Sequence, residues 1–199
     1  MRKIIVQEFI TLDGVIQAPG GPEEDLSGGF NYGGWVAPYF AHTDPVFDKI
    51  MQQWMRSTDI LLGKNTFKIW EHYWPKHAEM WTGINEITKY VLSNSIDHSN
   101  WQNTVFLKNV DEVKKLKASE GGDIKVHGSA HMAQTLFQHD LVDELCLMTF
   151  PIILGAGKRL FAEGSAPAAF ELTDSLSTSN GVLYTYYKWA GKVTTARAD

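Results

Sequence analysis

Two stretches far apart in this chain follow one local plan: a short apolar run, a glycine, then residues that open a helix. The first is Leu61-Leu62-Gly63-Lys64-Asn65-Thr66 and the second is Val126-His127-Gly128-Ser129-Ala130. A chain built this way must alternate strands with helices, which makes it an α/β protein. At a helix start several backbone N–H groups lack partners and lie at the positive end of the aligned peptide dipoles, so a phosphate docks there when no side chain blocks the approach. Glycine clears that approach, Lys64 adds a cation, and Thr66 and Ser129 add hydroxyl donors. The same residues also suit an ordinary strand-to-helix turn with serine as N-cap, and both readings stand at this point.

The rest of the chain supports the alternation. Ile4 to Ile10 reads as a largely buried first strand ended by the turn pair Asp13-Gly14. Thr43-Asp44-Pro45 opens a helix, with Asp44 as N-cap, and Val46, Phe47, Ile50, Met51, Trp54 and Met55 fall on one of its faces. Strands are expected at Ile60 to Leu62, Lys89 to Ser93, Thr104 to Leu107 and Ile124 to Val126. Helices are expected at Asn65 to His72, at Asn109 to Lys117 with Asn109 and Glu112 as a capping pair, and around Met132 to Phe137. After Asp143 the pattern changes to strands alone, at Leu145 to Leu154, Phe170 to Ser177 and Val182 to Trp189, and the last two flank the hairpin signal Ser179-Asn180-Gly181. The expected architecture is a mixed sheet with a C-terminal antiparallel hairpin.

Ala18 to Pro38 breaks this order. It is rich in glycine, proline and aromatic residues, including Gly33-Gly34-Trp35, and reads as a mobile flap that lays rings over a ligand. Most of the seven tryptophans serve a core, while those near the flap and after the second helix can stack on a flat ring.

A length of 199 residues fits one domain, residues 1–191, with a frayed tail at 192–199. The net charge of −5 and the absence of a basic block argue against nucleic acid as a partner. The N-terminal residues carry Lys3, Gln7 and Glu8 and are too interrupted for a membrane span or signal sequence, so a cytoplasmic location without membrane contact is expected. The single cysteine, Cys146, sits in an apolar run and reads as a buried inert thiol. His127 and His131 straddle a helix boundary and no HExxH or Cys-His cluster exists, so no metal is expected; no G-x-S-x-G elbow points to a serine hydrolase.

Two further features are open in meaning. Gly155 and Gly157 in Leu154-Gly155-Ala156-Gly157-Lys158-Arg159-Leu160 form either a tight turn or a backbone wall against a cofactor. Asp13 is either a turn residue or a carboxylate that orients substrate and manages a proton, and we take the second as the expectation for catalysis.

Taken in order, Thr11-Leu12-Asp13-Gly14, Leu62-Gly63-Lys64-Asn65-Thr66, Tyr90-Val91-Leu92-Ser93, Gly128-Ser129, and Leu141 to Glu144 through Pro151 to Phe161 resemble the dihydrofolate reductase-like family. The narrower resemblance is to the group related to the C-terminal reductase domain of the bifunctional riboflavin-biosynthesis deaminase-reductase. It implies a three-layer α/β/α fold with a mostly parallel sheet, and NADPH-dependent hydride delivery to a ring or opened sugar on a pyrimidine, as in phosphoribosylaminouracil reductase. It also implies cofactor contacts from Gly63, Lys64, Asn65 and Thr66 to phosphate, from Ser93 to the adenosine ribose or its 2'-phosphate, and from Gly128, Ser129 and Ala130 to the pyrophosphate. Gly155, Gly157 and Leu160 would lie near the same cofactor, Asp13 would face a small-molecule substrate, and a homodimer would form through the late strands. The riboflavin reductases carry an acidic residue and two glycines where this chain has His127-Gly128-Ser129. A nucleotide- or pterin-binding protein without turnover is the alternative, and a dimeric scaffold with a vestigial pocket is a third.

Overall fold

The structure, a computed structural model, describes residues 1–41 and 44–197. Thr43 of the expected helix opening and the last two residues of the expected tail lie outside that range.

Among the described residues eight strands form one sheet: β1 (Ile4–Thr11), β2 (Asp59–Gly63), β3 (Lys89–Leu92), β4 (Thr104–Leu107), β5 (Ile124–Val126), β6 (Glu144–Phe150), β7 (Ala169–Ser177) and β8 (Leu183–Gly191). Their spatial order is β4-β3-β2-β5-β1-β6-β8-β7. All pairings from β4 across to β6 are parallel, whereas β8 runs antiparallel to both β6 and β7. Among the described residues the α-helices are α1 (Ala37–Phe40), α2 (Pro45–Trp54), α3 (Lys64–Tyr73), α4 (Val110–Ala118) and α5 (Ala130–Gln138).

The two faces are separated by the strand period of two. Ile4, Val6, Leu61 and Val126 pack against α4 and α5 through Val113, Met132 and Leu136. The alternate positions Ile5, Ile60 and Leu62 face α2 and α3 through Phe47, Ile50, Trp54 and Phe67. This is the three-layer α/β/α fold with a C-terminal hairpin that the sequence led us to expect.

Local chemistry sets the helix ends. Asp44 Oδ1 accepts the Phe47 N–H at 2.8 Å and its Oδ2 accepts the Ser179 N–H at 2.7 Å, so one cap also ties α2 to the hairpin. Asn109 Oδ1 accepts the Glu112 N–H at 3.1 Å, as its spacing indicates. The seventh and eighth strands match expectation within two residues. The sixth is shorter than expected: Pro151 has no N–H to continue the ladder, and the chain leaves the sheet after Phe150.

Buried lysines brace the region under the C-terminal strand ends. Lys125 Nζ donates to the carbonyls of Gln53 and Trp54 at 3.0 and 2.7 Å, closing the last turn of α2. Gln7 Nε2 donates to the same Trp54 carbonyl at 3.0 Å, so β1 and β5 together fix where that tryptophan stands.

Candidate active site

The two glycine-ended strands are neighbours, with Leu61 opposite Val126, and their ends touch: the Gly63 N–H donates to the Gly128 carbonyl at 3.2 Å. A Cβ on Gly63 would lie 2.5 Å from Ser129 Oγ, and one on Gly128 would lie 2.9 Å from Thr66 Oγ1. Gly128 also has φ +66°, which disfavours any side chain there. Neither α3 nor α5 has a side-chain cap at its N-terminus, so both present unsatisfied N–H groups on the same edge of the sheet. Ser93 follows β3 beside them, its Oγ accepting the N–H groups of Ser95 and Ile96, each at 3.2 Å, while Lys64 Nζ donates to Ser95 Oγ at 3.1 Å. Gly63, Lys64, Asn65, Thr66, Ser93, Gly128, Ser129 and Ala130 are thus gathered at the carboxyl ends of β3, β2 and β5, where open α/β sheets bind ligands. A cleft of about 940 Å³ opens there, with Asn65, Thr66 and Gly128 to Ala130 on one side.

The remaining expected site residues stand elsewhere. Gly157, at φ +119°, has room for no Cβ because Val15 Cγ1 and Phe30 Cε2 would be 2.7 and 2.9 Å away, so its lack of a side chain serves packing. Leu160 is fully buried in the core beside α5, and the Gly155 N–H is bound to Asp13. It is Lys158 from this stretch that reaches the cleft wall.

Asp13 is a correction to the catalytic expectation. Its carboxylate accepts the Thr11 hydroxyl at 2.6 Å and the N–H groups of Leu154 and Gly155 at 3.2 and 2.9 Å, with Arg159 at 3.5 Å, and it is not part of the cleft lining. Partial burial works against its charge, but the hydrogen bonds outweigh that and hold it at about 2. It is an ionised tie between the end of β1 and the loop after β6, unsuited to giving a proton near neutral pH.

The aromatic flap is the second correction. Phe30 and Trp35 turn into the core, with Trp35 edge-on to Phe150 at 5.3 Å and its Nε1 donating to the Gln17 carbonyl at 2.8 Å. Glycines let the backbone fold this tightly: a Cβ on Gly33 would lie 2.5 Å from the Gly21 carbonyl. The segment lines the cleft through Gln17 to Asp25, while Phe30 and Trp35 face the core and not the cleft.

The cleft has an inner arm that sequence reasoning did not assemble. His127, at the end of β5, is surrounded by Trp54, Trp70 and Trp81 at ring separations of 6.2, 5.3 and 5.5 Å, and Trp74 packs edge-on against Trp81 at 5.2 Å. Phe9 stacks on Trp54 at 4.7 Å. His127 is held uncharged, at about 3, by burial and by nearby Lys125. Glu8 also borders the cleft, its Oε1 accepting the Gly128 N–H at 2.6 Å. Burial pushes the Glu8 carboxyl up to about 8, against the Gly128 bond and with help from Glu24. The signal for Glu8 was present as a lone carboxylate inside the apolar run Ile4 to Ile10, but only the neighbouring strand's glycine gives it a role. Among the described residues there is no cluster of three side chains able to hold a metal ion, and no helix is long and apolar enough to cross a membrane.

Comparison with known proteins agrees with this architecture. The chain is 30% identical over 202 residues to the uncharacterized protein YyaP of Bacillus subtilis, covering 96% of each chain, and 22% identical over 167 residues to YwjB of the same organism, covering 81% and 84%. Among solved structures it superposes on a putative riboflavin biosynthesis protein from Shewanella sp. PV-4 with a TM-score of 0.66, 23% identity, and coverage of 94% and 99%. It superposes on dihydrofolate reductase from Enterococcus faecalis in complex with NADP(H) and RAB-propyl with a TM-score of 0.59, 14% identity, and coverage of 94% and 96%. For a pyrimidine reductase-like protein from Corynebacterium diphtheriae the values are 0.58, 15%, and 95% and 92%. These likenesses show the shared fold. The sequence profile of the RibD C-terminal domain matches residues 2–184, and the chain belongs to that family.

Proposed function

We propose that the protein is an NADPH-dependent reductase acting on a small planar substrate of the pyrimidine or pterin class. The observation that carries this reading is the meeting of two uncapped helix N-termini, α3 and α5, over glycines packed too closely for side chains, at one cleft. That cradle suits a dinucleotide: the N–H groups from Lys64 to Thr66 and of Ser129 and Ala130 would hold the phosphates, with Gly63 and Gly128 clearing the approach, and Lys64 with Ser93 would hold the adenosine side. Bound there, the coenzyme supplies a hydride. The chain supplies orientation between the Gly128–Ala130 edge and the tryptophan-walled arm, and exclusion of water by Phe9, Trp54, Trp70 and Met51. Membership of the RibD C-terminal family and the fold shared with a dihydrofolate reductase complexed with NADP(H) support the reading.

Nicotinamide fluorescence on titration with NADPH tests it, followed by loss of nicotinamide absorbance with a panel of pterins, flavins and pyrimidines. Saturable binding with oxidation is the expected result. Saturable binding with no oxidation by any ring makes the protein a nucleotide binder, and absence of binding removes the reading altogether.

A second copy of the chain is proposed to pair at β7. This strand ends the sheet, exposes Glu171 to Ser175 continuously, and leaves Leu172 half in solvent. Sedimentation of the purified chain decides between dimer and monomer.

A further inference from the structure

Two buried nitrogens in the tryptophan-walled arm have no partner. His127 and Trp81 are 7% and 3% exposed, and His127 Nε2 and Trp81 Nε1 lie buried with no hydrogen bond among the described residues. Buried polar atoms in folded proteins are nearly always paired, because an unpaired one costs its full desolvation. The two rings pack edge to face at 5.5 Å, and both side chains border the same cleft. Two orphans side by side in one pocket wall point to a partner supplied from outside the chain. The broad χ2 well of such rings allows the small turn that brings each nitrogen to the cleft surface.

What these atoms can bind follows from their chemistry. An indole N–H donates and never accepts. Burial and neighbouring Lys125 keep the His127 imidazole neutral. A neutral imidazole carries one N–H, and with it on Nε2 the two rings present a pair of donors. The complementary group is an oxygen acceptor.

The surroundings decide the charge of that acceptor. The remaining walls of the arm are the rings of Phe9, Trp54, Trp70 and Trp74. Lys125 Nζ is spent on the carbonyls of Gln53, Trp54 and Arg56 at 3.0, 2.7 and 3.4 Å. Among the described residues that line the whole cleft the one lysine or arginine is Lys158, whose Nζ is 2.6 Å from Asp25 Oδ2. A carboxylate or phosphate in the arm would lose its water and meet only two neutral donors, which costs far more than placing a neutral carbonyl there.

We propose that His127 and Trp81 are a specificity-determining pair of this cleft, and that together they receive one neutral carbonyl oxygen carried on the apolar body of a ligand. The inference deepens the reductase reading by naming a group on its substrate, while the binding event itself needs no coenzyme. A ligand without the oxygen leaves both nitrogens unpaired and is rejected for that reason.

The test uses acetophenone, ethylbenzene and benzoate, which share a phenyl ring and present a neutral carbonyl, no oxygen and a carboxylate. Binding is followed by the indole N–H resonance of Trp81, identified by its loss in Trp81→Phe. Acetophenone is expected to move that resonance saturably and to bind at least about tenfold tighter than ethylbenzene or benzoate. His127→Leu removes one of the nitrogens at similar volume. It is expected to weaken acetophenone by roughly five- to tenfold, to leave ethylbenzene within about twofold, and to melt no lower than the native protein. A Trp81 resonance unmoved by acetophenone, or equal or tighter binding of ethylbenzene or benzoate, would overturn the proposal. So would a His127→Leu variant that melts lower and still binds acetophenone as the native protein does, since the nitrogen then serves the fold. Should that variant fail to fold, the Trp81 resonance and the order of the three probes on the native protein decide alone. NADPH titration run in parallel separates the two readings: a carbonyl-dependent shift without coenzyme binding removes the reductase and leaves the pair, and coenzyme binding with a silent Trp81 resonance does the reverse.

Discussion

Glu8 Oε1 accepts the Gly128 backbone N–H at 2.6 Å, so a carboxyl from the central strand holds the turn that leads into α5. One acid group therefore ties the end of β1 to the turn after β5.

Because burial raises the Glu8 carboxyl from 4.5 to about 8, the folded protein holds a proton there that the unfolded chain has lost. Stability from this group is present below 4.5 and declines as pH rises toward 8, by at most about 1.4 kcal/mol per pH unit. His127, lowered from 6.5 to about 3, acts in the opposite sense and gains stability as pH rises through that interval. Urea melts of the native protein and Glu8→Gln at several pH values are expected to show the E8Q variant gaining on the native protein between 4.5 and 8. A constant difference would place the Glu8 pKa outside that window.

Gly63→Ala is expected to cost about 1–3 kcal/mol, since the new Cβ would sit 2.5 Å from Ser129 Oγ. It also pushes apart the two helix starts, so NADPH affinity should fall by roughly tenfold or more. Combining it with Ser129→Gly removes the blocking oxygen and should recover part of the stability. Calorimetry and nicotinamide fluorescence read the two effects separately.

Lys64 stands beside Ser95 and close to the end of β3, clear of the cleft lining itself. Its replacement by Ala should weaken NADPH by about five- to tenfold and NADH by less than about twofold, because only the former carries the extra phosphate. Equal losses for both coenzymes would remove Lys64 from that contact.

Asp13→Asn should lower the melting temperature by roughly 2–8 °C while leaving NADPH affinity within about twofold, since the carboxylate holds Leu154 and Gly155 and does not face the cleft. The group is depressed from 3.8 to about 2, so the native protein's advantage over D13N is present above 3.8 and is lost as pH falls through that interval. A large loss of coenzyme or ring binding in this variant would return Asp13 to the site.

The indole N–H of Trp35 should exchange slowly with solvent in the ligand-free protein, because it is buried and bonded to the Gln17 carbonyl at 2.8 Å. Fast exchange, slowed by a ligand, would restore the picture of a moving flap.

The order of strands and helices, the Asp44 and Asn109 caps and the late hairpin were legible in the sequence, because side-chain periodicity, capping and turn chemistry act over a few residues. The same holds for the two glycine turns, whose chemistry is carried by their own backbone. What the chain could not declare by itself was which distant groups meet. Glu8 looks like an interruption in an apolar strand until Gly128 lies against it, and Asp13 looks like a catalytic carboxylate until the Leu154 and Gly155 amides claim it. Phe30 and Trp35 look like a ring-bearing lid until Phe150 and Val15 receive them. For the two carboxylates the deciding quantity is a hydrogen bond across more than a hundred residues of chain, and for the rings it is packing against a core that exists only once the sheet has formed.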